Sequence, residues 1–313
     1  MAALGTTAVK SYADYEQLVG GIETLFGTGG AATVQEYADS VGKSVDEVQD
    51  EFNMLTEAQT TAMNNANQAY KTAGLSANEY MDTVTSFAAS LKASTSNEVE
   101  AAEAANSAVI DMADNANKMG TNMESIQNAY QGFAKQNYTM LDNLKLGYGG
   151  TKEEMERLLS DAEKIHQETT GEATHYDINN LSDVYSAIHE VQTQLGITGT
   201  TAKEASTTIS GSVNAMKASW SNLVTGIADD NANFDELINN FVESAATAAD
   251  NILPRVEIAL SGVGELIESL LPVIVSEIPT IINDVLPGLI ESGTNIVNSL
   301  LSGIQENLPS IID

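Results

Sequence analysis

Residues 73–81 read AGLSANEYM, and this stretch carries the signals that decide the fold. Gly74 is of the residue type that most often follows a helix, because glycine adopts the left-handed backbone without a steric penalty. Ser76 and Glu79 have the spacing of a capping box, in which the serine caps the first helical turn and the glutamate reaches back. The stretch therefore predicts the end of one helix, a short turn and the start of another.

The same Ser/Thr-x-x-Glu spacing recurs along the chain, several times just after a glycine. Each repeat predicts the first turn of a further helix. The pairs are Thr33/Glu36, Ser44/Glu47, Ser76/Glu79, Thr95/Glu98, Thr121/Glu124, Thr151/Glu154 and Thr201/Glu204, and the glycines that precede them are Gly42, Gly74, Gly120 and Gly150.

Apolar residues between these marks recur every three or four positions, which is the period of an amphipathic helix. No run of alternating β-branched residues with a hairpin turn stands beside them. We therefore predict an all-α fold of multiple helices joined by short Gly/capping-box turns. The predicted faces are Leu75, Tyr80, Val84, Phe87 and Leu91; Met155, Leu158, Leu159, Ala162 and Ile165; Leu181, Val184, Tyr185, Ile188, Val191 and Leu195, ended by Gly196; and Val213, Met216, Trp220 and Leu223.

The composition changes near Asn251, where Leu and Ile replace Ala, Asn and Thr and all five prolines appear. We predict a helical region over residues 1–250 and a Leu/Ile/Pro-rich amphipathic segment over residues 251–313. Within the first region, residues 27–33 predict a flexible turn or linker and residues 168–180 predict a polar loop.

The C-terminal segment places an apolar stripe on one side of a helical wheel and prolines on the other. One interpretation is a continuous amphipathic helix that is kinked at the prolines, and the other is a chain of short helices with Pro in each first turn. Either one needs a partner for the stripe: another copy, an upstream helix or a membrane surface. The stripe comprises Ile267, Leu271, Ile274, Ile278, Ile281, Val285 and Leu289, and the prolines are Pro254, Pro272, Pro279, Pro287 and Pro309.

The formal charge is −31, from 13 basic and 44 acidic residues. Nucleic-acid binders need Lys and Arg to displace counterions from phosphates, so direct nucleic-acid binding is not expected. Aromatic residues make up only 5% of the chain, which predicts a core of Ala, Leu, Ile, Val and Met in an extended or layered helical assembly. The chain has no cysteine, its start lacks the basic region of a signal peptide, and no apolar stretch is long enough to span a membrane.

Residues whose side chains could act in catalysis or bind a metal are scattered through the sequence rather than gathered into a motif. His166 lies three positions from Glu163, while His175 and His189 stand apart, so we expect solvent-facing histidines rather than a metal site. We predict no catalytic, cofactor-binding or metal site and no enzymatic activity. The Tyr148-Gly149-Gly150-Thr151 loop lacks the Walker spacing and predicts a tight turn, and the pairs Asp229-Asp230 and Asp235-Glu236 are expected on solvated faces.

Residues 131–155, QGFAKQNYTMLDNLKLGYGGTKEEM, resemble the core region of tail tape measure proteins from siphophages and prophages of Gram-positive bacteria. Further stretches share the resemblance, which extends over nearly the whole chain. They are residues 12–21 (YADYEQLVGG), 24–26 (TLF), 73–81 (AGLSANEYM), 114–121 (DNANKMGT), 196–205 (GITGTTAKEA), 220–223 (WSNL) and 251–256 (NILPRV).

The resemblance implies a structural virion component. Such proteins are long, largely helical, coiled-coil-like chains that fill the tail-tube lumen in several copies and set its length. Their implied partners are other copies of the chain, tail-tube protein, tail-tip or baseplate proteins and tail assembly chaperones. The implied locations are the virion tail and, during assembly, the host cytoplasm, with membrane contact at infection.

Family members are usually longer, so we expect this chain to be a fragment, a prophage relic or an isolated domain. Relative to the family, residues 27–60 resemble an insertion. The competing hypothesis is a membrane-active α-helical protein that acts through residues 252–312. Interfacial helices normally carry Lys and Arg for anionic lipid, whereas this segment is acidic.

Overall fold

The computed structural model describes residues 2–280 together with residues 291, 292, 294, 295, 298 and 299. Over these residues the chain is helical without a strand, which confirms the predicted all-α class. Twelve α-helices and one short 3₁₀ turn, Leu141–Leu144, are described. The helices are α1 Ala2–Phe26, α2 Val34–Val41, α3 Val45–Thr72, α4 Ala77–Thr85, α5 Ala88–Lys92, α6 Glu98–Met119, α7 Met123–Phe133, α8 Lys152–Thr170, α9 Leu181–Gln194, α10 Thr200–Thr207, α11 Ile209–Gly226 and α12 Phe234–Thr280.

The turn predicted from residues 73–81 forms as expected. Helix α3 ends at Thr72, and Gly74 follows with a φ of +67°. The Ser76 hydroxyl accepts a hydrogen bond from the Glu79 backbone N–H, and the Glu79 carboxylate accepts one from the Ser76 N–H at 2.8 Å. The predicted caps Thr33, Ser44 and Thr151 likewise lie at the starts of α2, α3 and α8.

Three of the predicted caps are wrong. Asn97 and Asn122, rather than Thr95 and Thr121, cap α6 and α7 through their side-chain oxygens. Asparagine caps helices as well as serine does, so a later Asn displaces an earlier Thr. Helix α10 begins before Thr201, with Gly199 in the capping position and without a side-chain cap of its own.

The main core lies among α1 and α3–α9, and aromatic rings occupy its centre. This corrects the expectation of an aliphatic core, because the few rings of this sequence are concentrated inside. The Tyr185 ring packs edge-on against Phe87, with ring centroids 5.7 Å apart, and lies tilted against Tyr130, with centroids 4.9 Å apart. Alanines fill the spaces where helices approach closely. The large, fully buried side chains include Phe26, Tyr70, Tyr80, Phe87, Tyr130 and Phe133.

Two of the predicted helical faces differ from the structure. The face from Leu75 to Leu91 is shared between α4 and α5, since the helix breaks at Ser86 and Phe87. On α11, Trp220 remains 43% exposed, and the buried residues are mostly small, Ser212, Ala215, Ala218 and Ser219 among them. Periodicity alone locates large apolar residues and so misses a face built from Ser and Ala.

A second, smaller core joins α2 to the first half of α3. It consists of Tyr37, Ala38, Val48 and Leu55, with the Tyr37 hydroxyl donating to the Glu51 carboxylate at 2.9 Å. This core lies within the predicted insertion, residues 27–60, although α3 continues through position 60 as one helix. No helix forms between Phe26 and Val34 or between Thr170 and Leu181, where the two loops were predicted.

Contacts divide the chain into two units, Met1–Asn251 and Ile252–Asp313. Helix α12 is continuous through Pro254, Pro272 and Pro279 as far as Thr280, which favours the continuous helix over a chain of short ones. Pro287 and Pro309 lie outside the described residues. Among the helices that are described, none is long and apolar enough to cross a membrane.

Candidate functional site

Within the first unit, one face of α12 packs against the main body. The Ser219 and Ser244 hydroxyls share a buried hydrogen bond of 2.6 Å, and Ala248 is 2% exposed. Farther along, the Asn251 amide donates to the carbonyl oxygens of Ser206 and Thr208, at 3.3 Å each. These contacts fix which side of the helix turns outward.

The outward side carries an exposed apolar row, which we define as Phe234, Ile238 and Val242. The three residues follow one another at intervals of four, so they lie along one side of the helix. Their exposed fractions are 40%, 38% and 57%. A row of this kind, on a helix already packed on another face, is typical of a surface that contacts a partner.

In the second unit, the described start of the segment is exposed as well. Leu253, Val256 and Ile258 are 61%, 45% and 60% exposed, and Arg255 and Glu257 between them are also exposed. The predicted stripe from Ile267 to Leu289 lies outside the residues whose side chains are described.

The three histidines each bind a carboxylate through Nδ1; the expectation that they face solvent is confirmed for His175 and wrong for His166, which is mostly buried, while His189 is about half-buried. His175 pairs with Glu163 at 2.7 Å and is the only one of the three that is mostly exposed. His166 does not pair with Glu163; it reaches Glu190 on α9 at 2.8 Å, with a quarter of its side chain exposed. His189 bonds to Asp111 of α6 at 2.8 Å.

The Asp111–His189 pair joins α6 to α9 where the carboxylate is buried. Asp111 is 2% exposed, and burial raises the pKa of its carboxyl. The hydrogen bond to Asp111 raises the pKa of His189 above its ordinary value, against the opposite effect of its own partial burial. Both shifts favour protonated forms, so the pair binds protons more readily when the chain is folded.

Asp114, one turn further along α6, is fully buried and caps another helix. Its two carboxylate oxygens accept hydrogen bonds from the backbone N–H groups of Gly199 and Thr201, at 2.6 and 2.7 Å. These groups form the first turn of α10, where a negative charge is stabilised by the helix dipole. Sequence reasoning missed this cap because its two partners lie far apart along the chain.

The Gly-rich loop at residues 148–151 is a structural turn. The Gly149 N–H, which a phosphate would need, donates instead to Glu154 at 3.0 Å. Arg157 forms a 2.6 Å ion pair with Glu154 and lies over the Tyr148 ring at 4.2 Å. Hydrogen bonding from Arg157 lowers the pKa of Glu154, which favours its charged form. The Glu154 carboxylate therefore occupies the donors that a bound phosphate would use.

The paired acids are accessible to solvent, as expected, with Asp230, Asp235 and Glu236 exposed and Asp229 half-buried. Asp229 and Glu236 line one cleft at the join between α11 and α12, whereas Asp230 and Asp235 do not line it. Among the described residues, no group of three or more His, Cys, Asp or Glu side chains has the arrangement of a metal site.

Comparison of the chain with protein-family models, with curated proteins and with solved structures found no match.

Proposed function

We propose that this chain is a structural virion component, a segment of a phage tail tape measure protein that acts in assembly and not in catalysis. In this proposal the segment occupies the tail-tube lumen and contributes to setting the tube length. The motifs at residues 131–155 and 196–205 support the family, and the all-α fold is of the kind the family would require.

The observation that carries the proposal is the exposed apolar row on α12. Phe234, Ile238 and Val242 lie outward on a helix whose other face is already packed, so the row has a free surface for a further partner. Helix α12 is long, since Phe234–Thr280 corresponds to roughly 70 Å at ~1.5 Å per residue. A long helix with an apolar side is suited to line up with other chains.

The partners proposed for this helix are other copies of the chain and the tail-tube protein, with tail-tip proteins and assembly chaperones as further candidates. The proposed locations are the tail lumen of the virion and, before assembly, the host cytoplasm. The high negative charge supports partners of opposite charge and disfavours direct contact with nucleic acid.

The alternative is a membrane-active helix, and the exposure of Leu253, Val256 and Ile258 is the observation in its favour. Against it, Arg255 is the only basic residue after Lys217, so anionic lipid would repel this segment at neutral pH. Leakage from liposomes at neutral pH would support the alternative over the tail-assembly proposal.

The experiment is co-purification of tail-tube protein with the chain, using a double variant of the exposed row, Ile238→Asp with Val242→Asp. Both positions are exposed, so the variant should keep the helical circular dichroism of the wild type while losing the partner. Val9→Asp is the matched control, because Val9 is an exposed apolar residue on α1. Equal recovery of tail-tube protein by the wild type and the double variant would contradict a role for the row.

A further inference from the structure

We infer that the cleft between α11 and α12 binds a small, neutral, hydroxyl-rich ligand of the size of a sugar ring, a function beyond tail assembly. The cleft has a volume of about 260 Å³, just below the ~300 Å³ at which the range for drug-sized ligands begins. Carboxamides dominate its lining, with Asn67, Asn222 and Asn240 among them, contributed by α3, α11 and α12.

Asn222 gives the first requirement on the ligand. The residue is 9% exposed, and its Oδ1 accepts the backbone N–H of Ala77 at 2.8 Å, which fixes the orientation of the amide. Its Nδ2 is therefore a donor, and no acceptor in the described part of the chain satisfies it. Because Asn222 lines the cleft, this donor can pair with an oxygen of a bound ligand in place of water.

Asp229 and Glu236 give the second requirement. Each uses one oxygen inside the loop: Asp229 accepts the N–H of Asn231 at 2.9 Å, and Glu236 accepts the side-chain amide of Asn233 at 3.0 Å. The remaining oxygen of each carboxylate has no hydrogen bond to another described residue, so it can accept one from a ligand. The ligand must therefore also bring hydrogen-bond donors.

Charge excludes the simpler ligands. The described residues that line the cleft include two carboxylates and no Lys, Arg or His, so a phosphate or another anion would be repelled. A bare metal ion is disfavoured because the oriented Nδ2 of Asn222 would point a donor at it. Hydroxyl groups meet both requirements, since each one donates and accepts.

Other cleft side chains fit the same chemistry. Asn67 and Asn240 line the cleft without a side-chain hydrogen bond to any described residue, so both can pair with hydroxyls in either direction. Part of the cleft wall is apolar and is formed by Leu237, Ala232 and Tyr15. A sugar ring presents both kinds of surface, with hydroxyls at its edge and C–H groups on its faces.

The test is saturation-transfer NMR on the full chain, with methyl glucoside and N-acetylglucosamine as sugar probes and trialanine and calcium chloride as competitors. We expect transfer to a sugar probe that neither competitor displaces. Asn240→Ala should weaken binding about 3- to 10-fold by removing one or two hydrogen bonds. Asn239→Ala is the matched control, because the neighbouring Asn239 is exposed and does not line the cleft.

Asn222→Asp is the sharper variant, because it keeps the oxygen that accepts from Ala77 and replaces only the free donor. It should weaken sugar binding about 10-fold or more. Transfer to neither sugar, displacement by trialanine or calcium, or equal affinities for Asn240→Ala and Asn239→Ala would each overturn the inference.

Discussion

Asp114 connects α6 to α10 through its buried carboxylate. One oxygen accepts a hydrogen bond from the N–H of Gly199 and the other accepts one from the N–H of Thr201. Asn at this position would keep one acceptor and turn an NH₂ group toward the other N–H. We expect Asp114→Asn to lower the free energy of unfolding by about 2 kcal/mol, measured by urea denaturation, because one buried donor loses its partner.

Asp82→Asn is the matched control for this variant. Asp82 is exposed on α4, and its replacement removes the same charge, so the free energy of unfolding should change by less than about 0.5 kcal/mol. If the two variants were equally stable, the carboxylate of Asp114 would not be holding α10.

The contact between His189 and Asp111 should make the free energy of unfolding depend on pH, and it sets the sign of that dependence. The hydrogen bond to Asp111 raises the pKa of the imidazole above 6.5 in the folded chain, and burial raises the pKa of the Asp111 carboxyl. A group with a raised folded pKa contributes its full stability below the unfolded pKa and loses it as the pH rises through the folded value. Stability should therefore fall as the pH rises above about 6.5, the value for an unperturbed histidine.

His189→Gln isolates this contribution, because glutamine can donate to Asp111 but does not titrate. The charged groups that act on His189, namely Asp111, Glu190 and Asp114, are unchanged in the variant. We expect a shallower decline in the free energy of unfolding for the variant over the same pH range, measured by chemical denaturation. Parallel curves for variant and wild type would remove His189 as the source.

At the scale of elements, the loop before α8 depends on one close approach of backbone to backbone. A Cβ at Gly150 would run into the carbonyl oxygen of Thr139, whereas a Cβ at Gly149 would meet only the Glu154 side chain at 3.5 Å. Gly150→Ala should therefore lower the free energy of unfolding by about 2 kcal/mol or more, because the backbone must move.

Gly149→Ala is the companion variant and should change stability by less than about 0.5 kcal/mol, as ordinary surface changes do. Thermal or urea denaturation of the two proteins side by side makes the comparison. Similar losses at both positions would mean that the contact with Thr139 does not set the cost.

Local signals predicted most of the helices, because helix starts and stops are encoded within a few residues. Ser76 with Glu79 and Thr151 with Glu154 are examples in which the cap and its partner lie on the same turn. Where the cap comes from elsewhere, local reasoning fails. Asp114 caps α10 from another helix, so the predicted cap at Thr201 was wrong.

At the scale of the whole molecule, local sequence patterns could not predict contacts between residues that are distant in the sequence. Composition indicated few rings, but only the fold shows that Phe87, Tyr130 and Tyr185 meet at its centre. The same holds for the cleft, since Asn67 and Asn240 lie on helices far apart in the chain. The exposed row on α12 could not be predicted either, because its exposure depends on which face of that helix packs against the rest of the first unit.

The central claim is that this chain contributes to the length of a phage tail, and tail length in particles that carry it is the most direct measurement. An in-frame deletion of residues 252–280 removes the part of α12 that belongs to the second unit and leaves the first unit intact. Electron microscopy of the particles should show tails shorter by about 45 Å, at ~1.5 Å per helical residue. Tails of unchanged length in particles that contain the shortened chain would contradict the account.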